Sequence, residues 1–238
     1  MKLIDFKNSL ISFLFPEKCA CCSEIISSGE GICSHCKKNL KYIEEKRCLK
    51  CGMGVKFCDC KFNVFRFEAV IAPFYNLGVA RRGVYNAKFN SRIYSHNFFI
   101  SEMTDCAKRY FDNIHFDAVT FVPSSKKGMY ERGYNQSEIL AKGVAQNLKL
   151  PLYDLLKVKE NRKRQHEVSK FKERFNNVNG VYEVKDKLKF KNVLLIDDIK
   201  TTGATLDECA KCLKLKGVEN VYCLTALVTN PRLKNTEK

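Results

Sequence analysis

Two segments of this 238-residue chain carry residue types whose spacing could do chemistry, and the first is rich in cysteine. A Cys-x2-Cys turn lets two thiolates reach one metal ion, and two such turns complete the tetrahedral four-thiolate shell of a structural zinc site. Eight cysteines occur as close pairs: Cys19 and Cys22, Cys33 and Cys36, Cys48 and Cys51, Cys58 and Cys60. We therefore predict structural zinc in this segment, with one or two ions per chain.

These four pairs can be combined into zinc sites in more than one way. Sequential pairing places the first four of the eight cysteines on one zinc and the last four on a second, whereas interleaved pairing remains an alternative. Cys21 lies between two predicted ligands and could replace either neighbour, while His35 is expected to be exposed. Eight thiolates leave no open coordination position, so these zincs would stabilise the fold rather than act in catalysis.

The second segment, residues 193–206, reads VLLIDDIKTTGATL. Its first four residues are apolar and predict a buried strand, and Asp197 and Asp198 follow at the carboxyl end of that strand. A loop rich in threonine then opens a helix, where backbone amides favour phosphate binding. The two carboxylates would then lie a ribose length from that phosphate, where they could accept hydrogen bonds from two sugar hydroxyls. The residues that we predict to bind the phosphate are Thr201, Thr202, Gly203, Ala204 and Thr205.

This second segment resembles the signature of type I phosphoribosyltransferases. The resemblance implies that the acid pair binds the ribose hydroxyls of phosphoribosyl pyrophosphate (PRPP), that the loop binds its 5′-phosphate, and that Mg²⁺ accompanies the pyrophosphate. Hypoxanthine-salvage relatives have an aspartate at the first loop position, where this chain has Thr201. Nucleobase salvage is therefore the less favoured activity. Phosphoribosyl transfer depends on binding and charge placement rather than on a nucleophilic triad, so the sequence leaves both turnover and the acceptor open.

The chain as a whole is similar to the ComF (ComFC/GntX-like) competence proteins, which join an N-terminal zinc ribbon to such a domain. This resemblance implies a function in DNA uptake during natural transformation, with single-stranded DNA and a competence helicase as partners. The resemblance to type I phosphoribosyltransferases further implies a pyrophosphate loop at Ser124, Ser125 and Lys126, and a mobile loop over the active site from Arg132 to Gln136. The similar residues outside the cysteine pairs are Tyr75, Arg81, Lys88, Val122, Pro123, residues 131–136, Gln165, Arg174, Asn177 and Val178.

The elements that must position these residues alternate between strand and helix after residue 62. Alternating βαβ units predict a mostly parallel sheet, and apolar runs suit strands buried on both faces. Residues 157–178 are polar and interrupt this pattern. We thus predict an α/β fold of the type I phosphoribosyltransferase class at 63–238, with a helix and a small double zinc ribbon at 1–62. The predicted strands are 68–73, 118–123, 193–196 and 221–228, and the predicted helices are 94–111, 135–147 and 204–216.

The charge of the chain favours polyanionic partners. It has 42 Lys and Arg against 26 Asp and Glu, a formal net charge of +16. The sharpest basic cluster, Arg162, Lys163 and Arg164, is a candidate contact for the backbone of single-stranded DNA. An alternative hypothesis is therefore a DNA-binding adaptor in which the PRPP pocket is vestigial.

The cellular compartment is predicted from the lack of a membrane-spanning stretch or signal peptide and from the metal-binding cysteines. No stretch approaches the roughly 18 apolar residues that a membrane-spanning helix needs, and residues 3–15 are read as an amphipathic helix rather than a signal peptide. Reduced, metal-binding cysteines are typical of the cytoplasm, which is where we expect the protein.

Overall fold

The computed structural model describes residues 16–58, 60, 64–89, 93–159, 180–185, 187 and 189–233. The predicted helix at 3–15 and the basic cluster at 162–164 lie outside these residues. None of the helices in the described ranges is long and apolar enough to cross a membrane.

A five-stranded sheet forms the centre of the molecule, and all of its strand pairs are parallel. Two short strands share one edge of β7, and β6 and β3 follow on its other side, so the order is β1 and β2, then β7, β6 and β3. Two further strands, β4 and β5, form a separate antiparallel pair. The strands are β1 Ala69–Ile71, β2 Phe74–Tyr75, β3 Ala118–Phe121, β4 Leu156–Val158, β5 Tyr182–Val184, β6 Asn192–Lys200 and β7 Asn220–Val228.

Helices connect the parallel strands, as the alternating pattern predicted. The mostly parallel α/β sheet is thereby confirmed. Some elements were not predicted, because they are short or carry mixed polar and apolar residues: the helices Ser34–Lys38, Gly78–Phe89 and Lys126–Arg132, strand β2, and the β4 and β5 pair. The helices are α1 Ser34–Lys38, α2 Gly78–Phe89, α3 Ile93–Tyr110, α4 Lys126–Arg132, α5 Gln136–Leu148 and α6 Ala204–Leu215, with a 3-10 turn at Val55–Phe57.

Strand β6 is longer than predicted, and this changes the position of the two acids. The prediction ended at residue 196, where the apolar run stops, but the strand continues to Lys200. The reason is backbone pairing with β7, which places Asp197 opposite Thr225 and Lys200 opposite Val228. Hydrogen bonds of a ladder do not depend on side-chain polarity. Asp197 and Asp198 therefore lie inside the end of the strand rather than after it.

Both faces of the sheet are covered. On one face, Ile71, Leu194 and Ile196 share a hydrophobic cluster with residues of α2, α3 and α5, among them Phe99 and Leu140. On the other face, a second cluster packs α6 against the sheet and contains Val70, Leu195, Leu206, Leu213 and Val221. Burial on both sides explains why the strands are continuous apolar runs rather than alternating ones.

The cysteine-rich segment packs directly on this sheet. Its buried residues Cys19, Cys33 and Cys36 belong to the same hydrophobic cluster as Phe74 and Phe99. Hydrogen bonds add to the contact: the Arg82 Nε and the Asn86 Nδ2 both donate to the Cys21 carbonyl at 3.1 Å. The segment and the sheet thus share one core. The division at residue 62 remains a prediction from composition.

Candidate functional site

The eight paired cysteines form two groups in the structure. Within each group the four Sγ atoms lie within 4.8 Å of one another, and the groups follow the sequential rather than the interleaved pairing. A tetrahedral zinc with Zn–S bonds of about 2.3 Å requires sulfur atoms separated by about 3.8 Å. The Sγ atoms of Cys22 and Cys33 are 3.6 Å apart, and those of Cys48 and Cys60 are 3.4 Å apart. Each group therefore fits one zinc ion. We call the group of Cys19, Cys22, Cys33 and Cys36 cluster I, and that of Cys48, Cys51, Cys58 and Cys60 cluster II.

One thiol in each cluster is prepared to ionise. Burial raises the pKa of Cys19, but hydrogen bonds from the backbone amides of Cys33, Cys22 and Cys21 outweigh it and bring the pKa to about 7. In cluster II, burial likewise raises the pKa of Cys48, and donors that include the Cys51 amide bring it to about 7. The thiolate is the form that binds a metal. Burial raises the pKa of Cys36, Cys51 and Cys60, so a metal cation beside them would favour their thiolate form.

The residues near the clusters do not act as alternative ligands. Cys21 is fully buried and is absent from both sets of clustered sulfurs in the described part of the chain. Its Sγ would lie 3.0 Å from a Cβ placed at Gly83, and burial raises its pKa to about 12. Cys21 is therefore a core residue, and the expectation that it could replace a neighbouring ligand is wrong. His35 is exposed, as expected.

The acid pair lies at the carboxyl end of β6 and is tied to the neighbouring elements. Asp197 is only 8% exposed, and its Oδ1 accepts hydrogen bonds from the Ser137 Oγ at 2.8 Å and from the Asp198 amide at 2.9 Å. Asp198 is half-buried. These bonds hold the Asp197 carboxylate in one orientation. Two carboxylates thus stand at the edge of a parallel sheet where ligands of open α/β folds bind.

The threonine-rich loop connects this strand end to α6. Residues 201–203 form the turn, and the helix begins at Ala204 with Gly203 as its N-cap. The Thr202 Oγ1 accepts a hydrogen bond from the Ala204 amide at 3.3 Å. The amides of this turn stand at the positive end of a 12-residue helix, which is a favourable position for a phosphate.

A hydrogen-bonded chain links β3 to the acid pair. The Ser124 Oγ donates a hydrogen bond to the Asn135 Oδ1 at 2.9 Å. The Asn135 Oδ1 also accepts a hydrogen bond from the Ser137 amide at 3.2 Å. Asn135 also donates to the Val122 carbonyl at 3.0 Å, and Ser137 in turn reaches Asp197. Sequence reasoning missed Ser137. The sequence feature that could have indicated Ser137 is a hydroxyl residue two positions after the helix cap Asn135, at the start of the helix predicted at 135–147.

The residues expected in the pyrophosphate loop and the mobile loop are divided between a short loop and a helix. Ser125 is the N-cap of α4 and its Oγ accepts from the Gly128 amide at 3.1 Å. Lys126 begins this helix and Arg132 ends it. The Arg132 guanidinium folds back over Gly128, and its Nη2 lies 3.5 Å from the Ser124 Oγ. Arg132 is thus in helical structure beside the candidate site, not in an irregular loop, because Ser125 and a terminal glycine cap this turn of helix.

Gly203 is the position in the loop where a side chain is least acceptable. Its φ is +90°, and a Cβ there would lie 3.1 Å from Phe65 Cε1 and 3.3 Å from Lys200 Cε. We expect Gly203→Ala to destabilise the chain by about 1–3 kcal/mol and to distort the loop, as measured by thermal unfolding and by phosphate-ligand binding.

Gly29→Ala is a matched control for this substitution, because Gly29 has a φ of +89° but no atom within 4 Å of an added Cβ. The control should show the backbone strain without the loss of ligand binding. Equal binding losses in the two variants would contradict a specific function of the Gly203 turn.

The chain matches two protein-family models and three curated competence proteins. The models are a double zinc ribbon domain over residues 10–61 and a phosphoribosyl transferase domain over residues 90–238. Competence protein ComFC of Bacillus subtilis is 29% identical over 207 residues, 81% of this chain and 82% of that protein. Competence protein F of Haemophilus influenzae is 31% identical over 44% of this chain and 47% of that protein. ComFC of Streptococcus pneumoniae is 23% identical over 80% of this chain and 84% of that protein.

The second of these models covers more than half of the chain and includes β3, β6, β7 and the loop at 201–205. The first covers all eight clustered cysteines. The chain therefore belongs to the phosphoribosyl transferase domain family and is a ComF-type homologue of these competence proteins, with a double zinc ribbon preceding that domain.

Proposed function

We propose that the protein binds Mg²⁺-PRPP at the carboxyl ends of β3 and β6, and that it supports DNA uptake as a ComF-type protein. The observation that carries the proposal is the acid pair at the end of β6, followed directly by the turn at the N-terminus of α6. One carboxylate of this pair is oriented by Ser137. Oriented carboxylates suit ribose hydroxyls, and amides at a helix N-terminus suit a terminal phosphate.

The remaining part of PRPP extends towards β3 in this proposal. The pyrophosphate would lie near Ser124, Ser125 and Lys126, with the Arg132 guanidinium close by. Mg²⁺, when bound with the ligand, would neutralise charge on the pyrophosphate oxygens. Cations placed where negative charge develops are the main requirement for departure of such a group. Asp197 and Asp198 hold the ribose, and the 201–205 turn holds its 5′-phosphate.

Calorimetry on the zinc-loaded protein tests the proposal. We expect PRPP to bind in the presence of Mg²⁺ and to bind more weakly when the zinc-loaded protein is dialysed into a buffer without Mg²⁺. Ribose 5-phosphate should compete, because it retains the groups recognised by the acid pair and the turn. Absence of PRPP binding in Mg²⁺ would overturn the proposed site. Pyrophosphate release, screened against nucleobases, amines and single-stranded DNA, then identifies the acceptor if transfer occurs.

Single-stranded DNA is the partner that the charge of the chain supports. The described surface has exposed lysines at 187, 189 and 216, which surround the half-buried Phe190. Lysines with an intervening aromatic ring suit the backbone and bases of a single strand. The adaptor hypothesis predicts DNA binding that weakens steeply with salt and that persists when Asp197 and Asp198 are both replaced. Loss of DNA binding in that folded variant would contradict it.

The family relationship also motivates three broader proposals. The two cysteine clusters each hold one structural zinc, because their sulfur geometry fits a closed four-thiolate site. The protein acts in the cytoplasm, where thiols stay reduced, and a competence helicase is its protein partner. Fractionation of cells followed by affinity purification tests the last two.

A further inference from the structure

Lys200 is a buried lysine at the end of β6, and it has no role in the proposed function. The residue is 5% exposed. Within the described parts of the chain, no carboxylate lies within ion-pair distance of its ammonium group. A buried charge without a counter-charge is costly. A nearby anionic group would offset part of this cost.

The Lys200 side chain lies against the turn at 201–205. Its Nζ is 5.9 Å from the centre of the Phe65 ring. A Cβ at Gly203 would contact both Phe65 and the Lys200 Cε, at 3.1 and 3.3 Å. The turn can approach this closely only because residue 203 is glycine. Movement of the Lys200 side chain would consequently displace the turn.

Cluster II is docked at the same edge of the sheet. Gly52 follows the ligand Cys51, and a Cβ at Gly52 would lie 3.2 Å from both the Val228 Cγ2 and the Val70 carbonyl oxygen. Val228 is the residue that pairs with Lys200 across the two strands. The backbone contact continues one residue further, where the Thr229 amide donates to the Lys200 carbonyl at 2.8 Å. Cluster II and Lys200 therefore both lie at the carboxyl ends of β6 and β7, on either side of Val228.

The charges at this position are complementary. Burial lowers the pKa of Lys200, whereas the nearby Cys51, Cys60, Cys223 and Cys48 raise it. Three of these four cysteines belong to cluster II. A zinc ion with four thiolates carries a net charge of −2, so a loaded cluster remains anionic. An ammonium group beside it offsets part of that charge, and the cluster removes part of the cost of burying the ammonium.

We propose that Lys200 is the internal counter-ion of cluster II and couples the metal state of that cluster to the turn at 201–205. Lys200 is in this sense a positioning residue: it acts on the phosphate-binding turn through packing and on the cluster through charge. Coupling between two sites is reciprocal. Ligand at the turn should slow the loss of zinc from cluster II, and loss of that zinc should loosen the turn. The ligand half of this inference rests on the proposed function, whereas the zinc half does not.

Zinc release from the purified, zinc-loaded protein tests whether Lys200 stabilises the loaded cluster II. We expect Lys200→Met to accelerate the release of one zinc per chain by about tenfold, with the other zinc unchanged. Cysteines alkylated after partial release should be those of cluster II. Lys214→Met is the matched control, since Lys214 is paired with Glu68 at the surface, and it should release both zincs at the wild-type rates. Release at wild-type rates from the Lys200 variant would overturn the proposal.

Hydrogen exchange on the wild-type chain tests the coupling without a substitution, and thus also covers a Lys200 variant that does not fold. After partial chelation that removes the cluster II zinc, peptides spanning 201–206 should lose protection, while peptides from β3 keep theirs. Unchanged protection of 201–206 would overturn the coupling. Adding Mg²⁺-PRPP to the loaded protein should slow cluster II release severalfold. If PRPP binds but does not change the rate of zinc release, the coupling is overturned. If PRPP does not bind at all, the proposed function is overturned instead. Zinc release from the Lys200 variant and hydrogen exchange after chelation would still test the role of Lys200.

Discussion

Replacing Asp197 and Asp198 together by alanine is expected to weaken Mg²⁺-PRPP binding by at least about 100-fold. A hydrogen bond to a charged group contributes about 1.5–3 kcal/mol, so the loss of two corresponds to about 3–6 kcal/mol of binding free energy. Calorimetry of the zinc-loaded variant measures this change. Asp198 is the more informative single substitution, because it is half-buried and its loss should disturb the fold less. Replacing Asp197 would also remove the acceptor of the Ser137 hydroxyl.

Asp154→Ala is the control for this pair. Asp154 is exposed and pairs with Lys185 beside the two-stranded sheet, so its loss should leave PRPP binding unchanged. Circular dichroism of each variant establishes that the fold is retained. Wild-type affinity in a folded double variant would show that the acid pair does not hold the ribose, and the site would have to be sought elsewhere on the sheet.

Cys36→Ala is expected to remove one zinc per chain and to destabilise the whole molecule. Cys36 is fully buried and lies in the hydrophobic cluster that also contains Phe74 and Phe99. Structural zinc in small domains contributes about 10–16 kcal/mol of apparent binding free energy, which is comparable to the total stability of a typical protein, about 5–15 kcal/mol. We therefore expect a fall in melting temperature of more than about 10 °C, or no folded protein, by circular dichroism and zinc analysis.

Cys212→Ala separates this effect from the loss of any thiol. Cys212 is a half-buried cysteine of α6, outside both clusters. Its replacement should keep both zincs and shift the melting temperature by only a few degrees. Two zincs and an unchanged melting temperature in the Cys36 variant would contradict the assignment of cluster I and its contribution to the shared core.

The elements predicted most accurately are those whose sequence pattern matches their burial. Strand β3 and strand β7 are apolar runs covered on both faces, and they begin within one residue of the predicted positions. Strand β6 was predicted to end four residues too early, because the residues after Ile196 are mostly polar and are held by pairing with β7. Helix α4 was missed since it depends on capping by Ser125 over only seven residues.

The chemical groups of this protein are determined by local sequence. The two cysteines of each pair are close in sequence, and so are the acid pair and its glycine turn, so local spacing alone predicts thiolate and phosphate chemistry. Tertiary structure decided what stands next to them. Ser137 of α5 donates a hydrogen bond to Asp197 of β6, Cys21 is a core residue, and Lys200 lies beside the Phe65 ring. The physical reason is that these contacts join residues more than 50 positions apart, and only the packing of the sheet brings them within reach.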